Sequence, residues 1–208
     1  MKAAFIAAIA FVVAFSVAAT DDHSTVGAAS GWFPKTWGAD KGWAFGNLDG
    51  AHDSATAISS MKQADDQWNA NAGTWFDFIY YGQNSTVNWT GNPCTMSSAF
   101  IWVVSANESN PGATQLCTSG SSITRATVRL DDVGQSWYVG TGTPGAGEQD
   151  SISILTHEFG HAAGFVGHFS GSSCSQSYRE TMCPSHPAGV TWWRSLEAAD
   201  RTEIANAY

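Results

Sequence analysis

Two histidines four residues apart, with a glutamate beside the first, constrain this chain more than any other stretch. They read His157-Glu158-Phe159-Gly160-His161. The run 151–164 around them carries Ile152, Leu155 and Phe159 at helical spacing, with Asp150 or Ser151 placed to cap it. On a helix, positions i and i+4 share a face, so both imidazoles can converge on one cation while Glu158 projects beside them. Imidazole ligands that leave one position open suit a catalytic zinc, and a neighbouring carboxylate can take a proton from water there.

Composition narrows the partners. Lys plus Arg number 9 against 18 Asp plus Glu, a formal charge of −9, and this argues against a nucleic-acid-binding surface. The start is Met1-Lys2 followed by an apolar, Ala-rich run from Ala3 to Ala19 that ends in small residues before Asp21-Asp22. That layout predicts a signal peptide over 1–19 and a secreted chain, with a membrane anchor as the competing reading. Four cysteines, Cys94, Cys117, Cys174 and Cys183, lie beyond the leader and predict two disulfides in an exported protein. Of three possible connectivities, Cys94–Cys117 and Cys174–Cys183 close short local loops. Asn84, Asn88 and Asn107 begin N-glycosylation triplets.

Along the chain, residues 20–53 read as a Trp-rich lead-in whose rings (Trp32, Phe33, Trp37, Trp43, Phe45) cover the core, or as a platform for sugar or peptide. Residues 54–69 predict a helix capped by Asp53. The stretches 75–81, 100–104 and 123–130 predict strands. The Gly-rich loop 140–147 lacks the Lys of a phosphate cradle. Residues 165–190 predict an irregular, cross-linked loop, and 195–208 a closing helix. Helices segregated from consecutive strands make an α+β layout. His23, His52 and His186 are scattered and read as surface residues.

Gly164 follows His161 by three residues, where a sharply ended helix favours positive φ; His168 and then Thr181-Met182-Cys183-Pro184 come after it. With these residues the chain resembles the metzincin zinc endopeptidases, and among them the matrixins. The motif of that family is H-E-x-x-H-x-x-G-x-x-H with a later Met-turn. The resemblance covers about residues 54–208. It implies a mixed twisted sheet with a backing helix, a zinc helix and a C-terminal helix, and a catalytic domain over 54–208. It also implies that His157, His161 and His168 hold one zinc ion, that Glu158 is the general base and that Met182 forms a hydrophobic floor. The residues Pro184 to Trp193 would wall a substrate pocket.

The third histidine stands one residue later than in the family, so the extra residue is expected in 165–167, with Gly167 in a conformation glycine alone accepts easily. A rival third ligand is Glu180, nineteen residues after His161, a spacing that resembles the gluzincin peptidases. Calcium, common in matrixins, could use Asp131, Asp132 or Asp150, though no Ca²⁺ loop pattern is present. The expected partner is a protein or peptide substrate met by a monomer, with no nucleic acid and no stable membrane association. The competing class is a secreted binding protein with an inactive metal helix.

Overall fold

The computed structural model describes residues 36–70, 76–96, 100–170, 174 and 179–208, together with the backbone of Val17–Ala18. The leader read over 1–19 otherwise lies outside the described residues, as do His23, Trp32 and Phe33. The fold is α+β. A mixed sheet has the order β1-β5-β6-β4-β2-β3. Its strands are β1 Val17–Ala18, β2 Lys41–Phe45, β3 Phe78–Gln83, β4 Ile101–Ala106, β5 Gly112–Ser119 and β6 Ser122–Asp131. Neighbours from β3 through β2 and β4 to β6 are parallel; β5 runs antiparallel to β6, and β1 antiparallel to β5. A short parallel pair, β7 Trp137–Tyr138 and β8 Gln149–Asp150, leads into the third of the four α-helices among the described residues. These are α1 Ala55–Met61, α2 Gln63–Asn69, α3 Ser151–Ala163 and α4 Ala198–Ala207.

The central strands β2 and β4 are covered on both faces, and the two-residue period of a strand sorts their side chains between them. Trp43 and Phe45 of β2 and Ile101 and Val103 of β4 face a core shared with Met61, Trp68, Leu155 and Phe159 of the helices. Their alternates Ala44, Trp102 and Val104 face the other way, where Val87, Trp89, Met96 and Phe100 cover them. The Cys94–Cys117 disulfide ties that covering segment to β5, and Cys174–Cys183 closes the second short loop. Both bridges are the pairings that close local loops.

The segment read as a lead-in supplies an internal strand. β2 lies between β3 and β4, and Trp37, Trp43 and Phe45 are fully buried, so the sheet extends N-terminal to residue 54. A strand covered on both faces needs no polar alternation, which is why its Lys-Gly-Trp-Ala-Phe sequence carries no strand signal. The predicted helix over 54–69 is divided at Lys62, and Ser54, not Asp53, caps it by accepting the N–H of Ala57. β5 was not anticipated at all. No helix among the described residues is long and apolar enough to cross a membrane.

Trp43 donates its indole N–H to Asp65 of α2 at 2.7 Å, pinning sheet to helix. Burial pushes the Asp65 carboxyl up to about 6, with Trp43 acting against the shift. The folded protein therefore holds a proton there between the ordinary carboxylate range and about pH 6, and this contribution to stability is lost as pH rises through that value. Asp65→Asn is expected to match the parent at pH 4 and to be the more stable of the two at pH 7.5. Denaturant unfolding at both values checks this; a variant less stable at pH 7.5 than the parent would refute it.

Candidate metal centre

Helix α3 is buried along its whole length, all thirteen residues, so it carries the His-Glu-x-x-His pattern through the middle of the protein and not over its surface. Asp150 caps the first turn by accepting the N–H of Ser153, and the Arg194 guanidinium pairs with the same carboxylate. The last four carbonyls of a helix lack intrahelical partners, and here each has one. Phe165 N–H bonds Gly160 O and Gly164 N–H bonds His161 O, a Schellman turn with Gly164 at φ 118°. Trp37 donates its indole N–H to Ala162 O, and the Tyr208 hydroxyl donates to Ala163 O.

This ending delivers His168 to the helix histidines. The Nε2 atoms of His157, His161 and His168 stand 3.1–3.3 Å from one another. Ligand nitrogens around a tetrahedral divalent ion at about 2.0–2.1 Å lie roughly 3.3–3.4 Å apart, so the three form a group that can hold one metal ion. Gly167 is not among the described glycines with positive φ; the reversal at Gly164 alone redirects the chain. The extra residue is accommodated without a second left-handed position.

The hydrogen bonds behind the rings decide what occupies the gap. His157 Nδ1–H donates to Thr181 O at 2.6 Å, and His161 Nδ1–H to Phe165 O at 2.5 Å. A carbonyl only accepts, so both rings carry their proton on Nδ1 and present bare Nε2 lone pairs to each other. Two lone pairs at 3.1 Å repel unless a cation lies between them. Burial pushes the His161 imidazole down to about 3, with the His168 charge adding to the shift, and pushes His157 well below the usual range. Neutral imidazoles are the form that ligates.

Glu158 lies in the same cleft. Its carboxylate accepts the Thr114 hydroxyl of β5 at 2.6 Å, and the same hydroxyl reaches its backbone carbonyl. Gly112 permits that approach: a Cβ there would lie 2.8 Å from Ile154 and 2.9 Å from Glu158. Beneath the helix, Met182 is fully buried, and a Cβ on Gly160 would meet its sulfur at 2.3 Å and the Trp68 ring at 2.7 Å. Trp193 stacks on the His157 ring at 4.5 Å.

Glu180 is outside the metal group. Burial, then the charges of Asp200 and Glu197, push its carboxyl up to about 7. Of the residues considered for calcium, Asp131 accepts the N–H groups of Glu108, Val133 and Gly134, and Asp150 is held by Ser153 and Arg194. His52 and His186 are buried, contrary to the surface reading, and His186 lines the cleft. Asn84, Asn88 and Asn107 are exposed. Sequence reasoning missed Thr114, His186 and Asp200; none sits in a recognisable pattern. Comparison with protein-family models and with curated proteins gives no match, so the geometry of the site carries the reading.

His168→Ala is expected to weaken divalent-metal binding by at least tenfold, and Glu180→Ala to leave it within about twofold. Competition against a chromophoric chelator measures both; the reverse ranking would refute the ligand set. Gly160→Ala should destabilise the protein by about 1–3 kcal/mol through overpacking against Met182 and Trp68. Thermal unfolding unchanged from the parent would contradict that packing.

Proposed function

We propose that this chain is a secreted zinc-dependent endopeptidase with a metzincin-like, matrixin-related catalytic fold. The observation that carries the reading is the convergence of three imidazoles, two with their Nε2 lone pairs forced inward, beside a buried glutamate in an open cleft. A structural site closes with a fourth protein ligand, whereas this group has three and opens onto the cleft. Zinc is preferred because three nitrogen ligands at these separations suit its tetrahedral habit. The chemistry that zinc supplies when bound is Lewis-acid polarisation of a carbonyl and a more acidic water.

The remaining work falls to this chain's own residues. Glu158 accepts the proton of the attacking water and passes it to the leaving amine. Thr114 fixes the carboxylate for that exchange, and Thr181 O and Phe165 O hold two ligand rings in their tautomers. Met182 fills the floor under the helix by packing. Two disulfides accord with an extracellular setting, and the partner is a peptide or protein substrate met by a monomer.

Glu158→Gln should retain metal while losing about 10²–10⁴-fold in peptide hydrolysis, since proton transfer alone is removed. Elemental analysis and a fluorogenic peptide assay read the two effects separately. Chelation should abolish cleavage, and added zinc should restore it. A Glu158→Gln protein that cleaves at the parental rate, or a chelated protein that stays active, would sink the hydrolase reading.

A further inference from the structure

The third histidine reaches the metal group on a segment that a disulfide ties down. His157 and His161 stand on α3, and each ring is fixed through Nδ1 by a carbonyl, Thr181 O and Phe165 O. His168 is half-buried and lies beyond the end of α3, so its position depends on how the chain after Gly164 is anchored. The anchor is its neighbour Phe169. The Phe169 N–H donates to Met182 O at 2.8 Å, and Cys174 Sγ packs 3.1 Å from Phe169 O. Cys174 is bridged to Cys183, the buried residue that follows Met182. A hydrogen bond at one end and a covalent bond at the other thus close a small ring between the His168 segment and the turn under α3. The turn itself is gripped by Asp200, which accepts the N–H groups of Thr181 and Met182.

We propose that the Cys174–Cys183 bridge is a redox gate on the metal centre: oxidised, it seats His168 and the ion is held firmly; reduced, it frees the His168 segment and the ion is held weakly. The proposal rests on the histidine triad as a metal group and not on peptide hydrolysis. Opening the bridge takes two electrons and two protons, which a dithiol supplies as its own two thiols join in a disulfide. Cys174 and Cys183 become separate thiols, and the short covalent path between Phe169 and Met182 is lost. A longer loop costs more entropy to close, and a single backbone hydrogen bond contributes little net free energy against that cost. Groups that orient a metal ligand from behind typically change metal affinity by about 10–100-fold. The other bridge, Cys94–Cys117, ties the segment covering the opposite face of the sheet to β5, so the two disulfides divide their work. Disulfides persist in oxidising surroundings and thiols in reducing ones, so the gate delays firm metal loading until the chain meets oxidising conditions.

The test uses the full chain carrying Cys94→Ser and Cys117→Ser, in which Cys174–Cys183 is the remaining bridge. Zinc affinity is measured by competition with a chromophoric chelator, before and after reduction by dithiothreitol and anaerobic desalting. Reduction is expected to weaken zinc binding by about tenfold, and reoxidation to restore it. Cys174→Ser with Cys183→Ser, which leaves no thiol there to act as a ligand, should show the same loss; if that variant does not fold, the reduction experiment decides. In a His168→Ala background, opening the bridge should change zinc affinity by less than about threefold, because the effect runs through that ligand. A change on reduction of less than about threefold, tighter binding by the reduced protein, or unfolding on reduction seen by circular dichroism would overturn the gate. So would a larger loss that persists without His168, since that marks a general loosening of the fold. Every readout is zinc binding, so the gate stands or falls separately from the hydrolase reading.

Discussion

The carboxylate of Asp200 accepts three backbone N–H groups, from Thr181 and Met182 in the turn under the metal helix and from Glu197 at the start of α4. Through this one fully buried side chain the closing helix grips the turn, the turn presents Thr181 O to His157, and His157 presents its bare nitrogen to the metal group. Burial pushes the Asp200 carboxyl upward while the N–H donors pull against it. A buried carboxylate is tolerated where hydrogen bonds saturate it, and removing its partners leaves an expensive orphan. The shape of the metal centre is thus set from a helix that contributes no ligand.

The rest of the site follows the same division of labour. Apolar packing fixes where α3 lies, with Trp43, Phe78 and Phe159 meeting ring to ring above the sheet. Polar contacts then fix how each functional side chain is turned. β5 illustrates the economy of the arrangement: Gly112 lets the strand come close, and two residues on Thr114 uses that closeness to hold Glu158. A helix buried on every side is an unusual carrier for three ionisable residues, and neutral imidazoles are what make it tolerable.

The helix bearing the metal ligands was legible because every signal for it is local: the i, i+4 pair, the Asp150 cap and the Gly164 stop all lie within fifteen residues. The two disulfides were legible for the same reason. What escaped notice depends on distant partners. β2 is a strand because two other strands flank it, and β5 combines Gly, Thr, Gln and Ser that read as loop until β6 and α3 bury them. Asp200 owes its importance to the backbone of Thr181 and Met182, 19 and 18 positions away. The expectation for Gly167 failed because Gly164 performs the whole reversal.

The end of α3 has a consequence for how the protein is made. Its final carbonyl is bonded by the Tyr208 hydroxyl, which also accepts the N–H of Trp37 across a separation of 171 residues. Contacts that distant form late, after the loss of chain entropy that joins them. A ribosome delivers Trp37 before Tyr208, so the Ala163 carbonyl lacks this partner until translation has passed the closing helix. Capture of a metal in finished geometry therefore waits for the Tyr208 ring to dock against the end of α3.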